Sequence, residues 1–430
     1  MARRSPPFAA SLAAACLAAA GLAGHAAGQG FHQRTPNAYK QTADDNAATA
    51  LNARLAAGEL ELAVEPDRGR LRAVLAALGV PEASQMLVFS KTSLQRHRIS
   101  PQNPRALYFG ADAYVGWVPG GKALEVAVSD PRLGIAFYAL SQDPAEAARL
   151  VRDDSCLSCH ASTRTDDEPG LIVRSVFPDA NGDPISSAGE STVIAMTPLA
   201  ERWGGWFVTG AFTGPHRGNG IAARGDDDVW RVTPSAAADL TAFADRFAVD
   251  RYLARTSDVA ALLVFEQQAA LHDLLVRVTM QMRCLLESDR VVNDALGETG
   301  LRATSAKITD RLADDVAAAL LLADETPLDD RAIRPDPAFA AVCADAWPRS
   351  PDGTRLGELD LRHRIFALPL SPMVHSRAFA ALPDELRTRV LARLRAALRD
   401  GRLPDGVHAT PAERKQLDGH LTATLPGYAP

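Results

Sequence analysis

Two cysteines and a histidine near the middle of the chain form the clearest chemical pattern. They lie in the run Cys156-Leu157-Ser158-Cys159-His160, which has the C-x-x-C-H spacing of a covalent haem attachment site. Two thiols at this spacing can both reach the vinyl groups of one porphyrin and form thioethers. The histidine that follows can supply an imidazole nitrogen to the iron as its proximal ligand. The run therefore predicts one haem c, with its iron, held by Cys156, Cys159 and His160.

Two other chemistries use a cysteine pair at this spacing, a dithiol redox pair and a zinc site. A zinc site needs two further ligands at a similarly short spacing, and the other cysteines beyond the N-terminal segment, Cys284 and Cys343, are distant and isolated. A redox pair does not need the trailing histidine. The pattern favours haem, and it leaves open whether Cys284 and Cys343 form a disulfide or stay as free thiols.

The sixth ligand of the iron has several candidates. Met196 and His216 lie in irregular segments, 36 and 56 residues after His160, and the sequence favours neither over the other. The remaining candidates, His272, Met280 and Met282, lie on a predicted helix, and Met282 is in phase with its apolar stripe. A thioether or imidazole in this position would block other ligands, whereas an open position would admit small molecules.

Three arginines are candidate partners for the haem propionates. A guanidinium fork matches a carboxylate with two hydrogen bonds, and Arg174, Arg202 and Arg217 all follow the attachment run. Ordinary surface ion pairs are the alternative for each of them. Trp203 and Trp206 could wall a porphyrin, although aromatic side chains near a turn more often serve packing.

The N-terminus has the order of a secretory signal peptide, predicted over residues 1–27. Arg3 and Arg4 precede an apolar, alanine-rich run over residues 8–22, and small residues follow. Cys16 would be removed with this segment; acylation of Cys16 is the alternative, but the preceding alanines lack the usual leucine. Because haem c is attached outside the bacterial cytoplasm, export and the C-x-x-C-H run support each other, and both predict a periplasmic location.

Composition bounds the class of the protein. The 430 residues are 47% hydrophobic and 23% charged with a net charge of −6, which is typical of a globular chain and gives no sign of nucleic-acid binding. Phosphate-binding loops, dinucleotide fingerprints and hydrolase motifs are absent from the sequence. No stretch after the signal is predicted to span a membrane, because charge interrupts the best candidate, residues 259–286.

Hydrophobic periodicity predicts an α+β fold in three parts. A β-rich domain covers residues 28–150, a haem-binding segment covers 151–235, and a mostly α-helical domain covers 236–430. Strands are predicted over residues 86–89, 106–118, 123–128, 135–140 and 171–177, with a turn at Pro119-Gly120-Gly121. Helices are predicted over residues 68–78, after Asp143-Pro144, and over 259–286, 308–322, 358–366, 383–398 and 411–424.

Several blocks of the chain resemble a family of exported, largely uncharacterised bacterial proteins, usually called cytochrome c domain-containing proteins. The blocks are residues 84–93, 104–109, 114–118, 156–161, 173–176 and 201–210. The resemblance implies one haem-c motif inside a longer α+β chain, and it brings no known substrate. The family tends to carry histidines on both sides of the tryptophan block. This chain has Ala195-Met196 and Phe212 there and keeps only His216, which puts the sixth ligand in doubt.

These patterns together predict a periplasmic mono-haem cytochrome that carries electrons between redox partner proteins. The alternative is a haem enzyme or gas sensor, for example with peroxidase-like activity, whose distal site is open. A binding protein in which haem serves only folding is a third hypothesis. The sequence leaves catalysis undecided and favours a carrier.

Overall fold

The computed structural model describes residues 30–429. It has a β-rich N-terminal half and a helical C-terminal half, which confirms the predicted α+β fold. The predicted signal peptide, including Cys16, lies outside the described residues.

A single antiparallel sheet organises the N-terminal half. The strands in chain order are β1 Met86–Val88, β2 Arg105–Phe109, β3 Ala113–Trp117, β4 Ala123–Asp130, β5 Gly134–Ser141, β6 Val151–Arg152, β7 Arg174–Val176, β8 Glu190–Thr192, β9 Trp206–Phe207, β10 Ala222–Arg224 and β11 Trp230–Val232. Seven of them form the main sheet in the order β6-β5-β4-β3-β2-β1-β9, and β7-β8 and β10-β11 form two small hairpins. Because β9 comes from the predicted haem-binding segment, that segment is joined to the sheet.

Both faces of the sheet are largely covered, since all five residues of β3 are buried. Leu124, Val126 and Val128 of β4 are buried on one face, as the period of two requires. The predicted turn after β3 is present, with Gly120 in the left-handed region at a φ of 70°, where glycine avoids the strain of a side chain.

Nine helices are described, and one of them links the two halves. They are α1 Ala47–Ala56, α2 Leu71–Leu78, α3 Leu157–His160, α4 Val259–Leu296, α5 Ala303–Leu320, α6 Pro337–Asp345, α7 Arg377–Ala380, α8 Asp384–Asp400 and α9 Pro411–Thr424. Most residues from 259 to 269 of α4 join the hydrophobic core of the sheet, as do Val276 and Met280. Leu271, Leu275, Val278 and Met282 of the same helix join a separate core with α5, α8 and α9. Within residues 30–429, α4 is also the one helix long and apolar enough to cross a bilayer, and 83% of its most apolar window is buried in the fold.

Two predicted helices are absent, and tertiary contacts explain both. The segment after Asp143-Pro144 is irregular up to β6, because Arg70 donates to the carbonyls of Asp143 and Glu146 and Asn52 donates to that of Leu150. These long-range contacts hold the backbone in an irregular path, in which Asp143 O accepts from Glu146 N–H in a single turn.

The predicted helix over residues 358–366 is instead a tight reversal of the chain. Asp360 N–H donates to Ile365 O, and Leu361 has a positive φ of 58°. Leu359 and Phe366 face each other across an isolated bridge. The prediction from helical periodicity is wrong here, because pairing across the reversal takes the backbone donors.

Candidate haem attachment site and adjoining cavity

The C-x-x-C-H run forms one compact turn that is fixed to the edge of the sheet. Asp153 N–H donates to Phe137 O on β5 at 2.9 Å, and the Asp153 side chain accepts from Ser155 N. A 3-10 turn then leads into α3, whose Leu157 is buried against the core. This anchoring leaves Cys156 half-buried and Cys159 exposed, and both are free thiols.

His160 is held by two hydrogen bonds to a single residue. Gly170 N–H donates to His160 O at 2.8 Å, and His160 Nδ1 lies 2.8 Å from Gly170 O. Because a carbonyl oxygen only accepts, Nδ1 must carry the proton, and the lone pair of the neutral ring is then on Nε2. A metal-binding histidine is commonly oriented in this way by a backbone carbonyl. His160 thus has the tautomer that an Nε2 iron ligand requires.

The His160 ring lies on the face of the sheet that carries Phe137 of β5. Its centroid is 4.6 Å from that of Phe137, and the Arg105–Glu125 ion pair on the same face is close enough to affect it. Burial lowers the pKa of His160, and Arg105 lowers it further, whereas the Gly170 bond and Glu125 raise it. The imidazole is therefore neutral near pH 7, as ligation requires.

Arg105 is a candidate propionate partner that the sequence analysis missed. Its guanidinium covers Gly116, where a Cβ would lie 2.3 Å from Nη2, and Nη2 pairs with Glu125 at 2.5 Å. The Nε atom of Arg105 is buried without a hydrogen-bond partner among the described residues. No spacing rule links a strand residue to a histidine 55 positions later, so only the fold shows that they are neighbours.

These features fit a covalent haem c. Both thiols are unbridged on one turn, His160 presents Nε2, Phe137 supports its ring, and Arg105 keeps a donor for an anionic group. A zinc site lacks comparable support, since residues 30–429 contain no group of three or more His, Cys, Asp and Glu side chains arranged around a metal position.

Three of the five distal candidates lie in the core. His272 is fully buried, with Nδ1 3.1 Å from the Tyr114 hydroxyl and Nε2 3.3 Å from Ser129 Oγ. Met280 and Met282 are also buried, and Thr309 donates to Met282 Sδ at 3.4 Å. Their environment is that of core residues, and no described contact brings them to His160.

The two preferred distal candidates are placed apart from His160 as well. Met196 is 58% exposed, at the rim of a cavity. His216 packs on Trp203 and Phe212, with ring centroids 5.6 and 5.3 Å away, and its Nδ1 accepts from Gly218 N–H at 3.0 Å. That bond leaves the proton on Nε2, which is the opposite tautomer to that of His160. Burial also lowers the pKa of His216 to about 4.

The predicted propionate arginines have other partners in the structure. Arg202 is buried in an ion pair with Glu266 at 2.8 Å and donates further to the carbonyls of residues 195 and 197. Arg174 pairs with Glu190, and Arg217 lies over the ring of Phe177 at 4.5 Å.

The two tryptophans serve packing and one anchoring bond. Trp203 and Trp206 are buried in the core, and Trp206 Nε1 donates to Arg174 O at 2.8 Å.

Cys284 and Cys343 are free thiols in the structure and do not form a disulfide, which decides the alternative left open by the sequence.

A cavity of about 750 Å³ adjoins the attachment segment. Its lining comes from four separate stretches, residues 163–173, 190–196, 267–277 and 319–325, and does not include Cys156, Cys159 or His160. The volume is within the range of small-molecule sites. No sequence pattern predicted it, because its wall is assembled from segments far apart in the chain.

One hydrogen-bonded chain connects the cavity to His160. Asp273 Oδ1, in the cavity wall, accepts from Leu171 N–H at 2.8 Å. The carbonyl of the same peptide group belongs to Gly170 and accepts from His160 Nδ1. Hydrogen bonds in series polarise one another, so ionisation of Asp273 would act on the His160 ring through one peptide group.

Comparison with protein-family models, with curated proteins and with solved structures finds no match to this chain. The resemblance described above therefore stays a prediction.

Proposed function

We propose that this chain binds one haem c covalently and transfers single electrons outside the cytoplasm. The observation that carries the proposal is the anchored turn with two free thiols and a histidine whose Nε2 lone pair is available. When bound, haem c would supply one-electron redox chemistry at its iron. Cys156 and Cys159 would hold it, His160 would ligate it, and Arg105 would pair with a propionate.

The surroundings of the turn support electron transfer to a protein partner. Cys159 is exposed and Cys156 is half-buried, so one edge of a porphyrin attached there would lie near the surface. The rest of the turn is fixed to the sheet through Asp153 and Leu157. A rigid site with an exposed edge suits transfer between docked redox proteins.

Covalent haem retention tests the proposal directly. The wild-type chain, exported in a host that matures c-type cytochromes, is expected to keep its porphyrin through denaturation and acid–acetone extraction. The Cys156→Ala/Cys159→Ala double variant should lose it, and Cys284→Ala, which removes a thiol elsewhere, should retain it. Wild-type protein without covalently held porphyrin would overturn the proposal.

A second candidate function is small-molecule chemistry or sensing at an open distal position. It is favoured by the placement of the distal candidates, because neither Met196 nor His216 has a described contact with the attachment turn. Carbon monoxide added to the reduced holoprotein separates the two functions. Rapid stoichiometric binding would support the open site, and absence of binding would reject it in favour of a six-coordinate carrier.

A further inference from the structure

The cavity has apolar lining between two polar residues of α4, Gln267 at one end and Asp273 at the other. Ala270, Leu271 and Leu274 of α4 line it, together with Val173 and Leu322. Asp273 and Gln267 are six positions apart on α4, so they are separated by roughly 9 Å along the helix axis. The cavity therefore suits an elongated ligand with an apolar middle and a polar group at each end.

The Asp273 carboxyl at one end has no ion-pair partner among residues 30–429. The two arginines of the lining already have carboxylate partners, Arg164 with Glu190 and Arg277 with Asp166. Asp273 Oδ1 accepts from Leu171 N–H, and Oδ2 has no partner among the described residues. Burial raises the pKa of Asp273 well above its ordinary value, which is the cost of a buried carboxyl that lacks a counter-charge.

The other end offers one donor and one acceptor. Gln267 is only 6% exposed, its Oε1 accepts from Ser371, and its Nε2 has no partner within the described part of the chain. Glu325 lies beside it; one oxygen accepts from Ile365 N–H, and no described donor reaches the other. The Gln267 amide nitrogen is therefore free to donate to an acceptor inside the cavity. A hydroxyl group meets both needs, since it can accept from Gln267 and donate to Glu325.

We propose that this cavity binds a hydroxylated organic amine, with its ammonium at Asp273 and its hydroxyl between Gln267 and Glu325. The apolar body lies along Ala270, Leu271 and Leu274. The site is separate from the attachment turn, and the proposal goes beyond covalent haem binding and does not require it. The hydrogen-bonded chain through Leu171 and Gly170 would additionally report occupancy of the site to His160.

Calorimetric titration with three probes of one shape tests both ends. Tyramine carries the ammonium and the hydroxyl, 4-ethylphenol lacks the ammonium, and phenethylamine lacks the hydroxyl. With the purified full-length mature protein, tyramine is expected to bind at least about tenfold more tightly than 4-ethylphenol, a difference of about 1.4 kcal/mol. A smaller preference over phenethylamine is expected, because a neutral hydrogen bond contributes less than a charged one.

Variants assign the two ends separately. Asp273→Asn keeps an acceptor for Leu171 N–H and should remove the preference for tyramine over 4-ethylphenol. Gln267→Leu should remove the preference over phenethylamine, and Asp226→Asn, at an exposed site elsewhere, should change neither.

The wild-type series alone is decisive even where a variant fails to fold. Equal affinities of tyramine and 4-ethylphenol, or no saturable binding of tyramine, would overturn the site. Covalent haem retention is measured independently, so failure of this site leaves the proposed function standing.

Discussion

The attachment turn and the middle of α4 each present a histidine, and the fold uses the two in opposite ways. His160 has one ring nitrogen bonded to Gly170 O and the other available, whereas both nitrogens of His272 lie near hydroxyl groups in the core. His160 is partly buried and His272 is fully buried. The difference teaches that a free ring nitrogen, rather than the presence of histidine, distinguishes a candidate ligand from a structural residue.

Exchanging each histidine for alanine gives the largest expected contrast. His160→Ala should abolish proximal ligation in the holoprotein while changing the free energy of unfolding by less than about 1 kcal/mol. His272→Ala should leave the visible spectrum unchanged and cost about 2–4 kcal/mol, because it creates a cavity and leaves Tyr114 and Ser129 without their partner.

Absorption spectra of the reduced protein and urea unfolding monitored by circular dichroism measure the two effects. Met373, buried in the C-terminal core, provides a control in Met373→Leu, which should alter neither spectrum nor stability strongly. A spectrum that changes in His272→Ala but not in His160→Ala would reverse the assignment.

The attachment turn was predictable because its chemistry is contiguous. Cys156, Cys159 and His160 follow one another at a spacing that porphyrin geometry demands, and the residues that anchor the turn lie within the same stretch or on the neighbouring strand. The sheet was also accessible, since alternation in β4 and the Pro119-Gly120-Gly121 turn are local signals. Local periodicity failed after Asp143, where Arg70 and Asn52 take the backbone carbonyls from a distance.

The rest of the site was not predictable, because it depends on contacts between distant segments. Arg105 reaches His160 only through the order of strands in the sheet, and the cavity combines four stretches of the chain. Arg202 shows the reverse error. Its position after the attachment run suggested a propionate partner, but the packing of α4 brings Glu266 to it.

Acid titration sharpens the comparison for the core histidine. Burial lowers the pKa of His272 in the folded protein to about 4, whereas in the unfolded chain this histidine has its ordinary pKa of 6.5. As the pH falls, the unfolded chain therefore binds the proton before the folded protein does. The stability that this group contributes is fully present above about pH 6.5 and is lost as the pH falls towards 4. The loss amounts to about 3 kcal/mol, since the pKa falls from 6.5 to about 4 on folding and one pKa unit corresponds to about 1.4 kcal/mol.

The measurement compares unfolding free energies of the wild type and His272→Gln between pH 4 and pH 7. The variant should show the flatter acid limb. Asp258 and Glu325, whose pKa values burial raises to about 7, act in the opposite direction because their stabilising contribution is lost as the pH rises. Both carboxyls are present in the two proteins and cancel in the difference. Parallel curves would show that His272 is not the neutral core residue that its contacts indicate.

The smallest effect is expected where the two regions meet, at Asp273. A carboxylate there polarises the Gly170–Leu171 peptide, strengthens the bond from His160 Nδ1 and makes the imidazole a better electron donor to ferric iron. Asp273→Asn should therefore raise the reduction potential of the holoprotein by roughly 20–60 mV, where 59 mV corresponds to a tenfold change in a one-electron equilibrium constant.

Because burial raises the pKa of Asp273, the difference in potential between the wild type and the variant should widen as the pH rises and the carboxyl ionises. Spectroelectrochemical titration over a range of pH measures it, with Glu287→Gln on the exposed surface of α4 as the matched control. A purely structural role for Asp273 would give equal potentials at every pH, even if the variant were less stable.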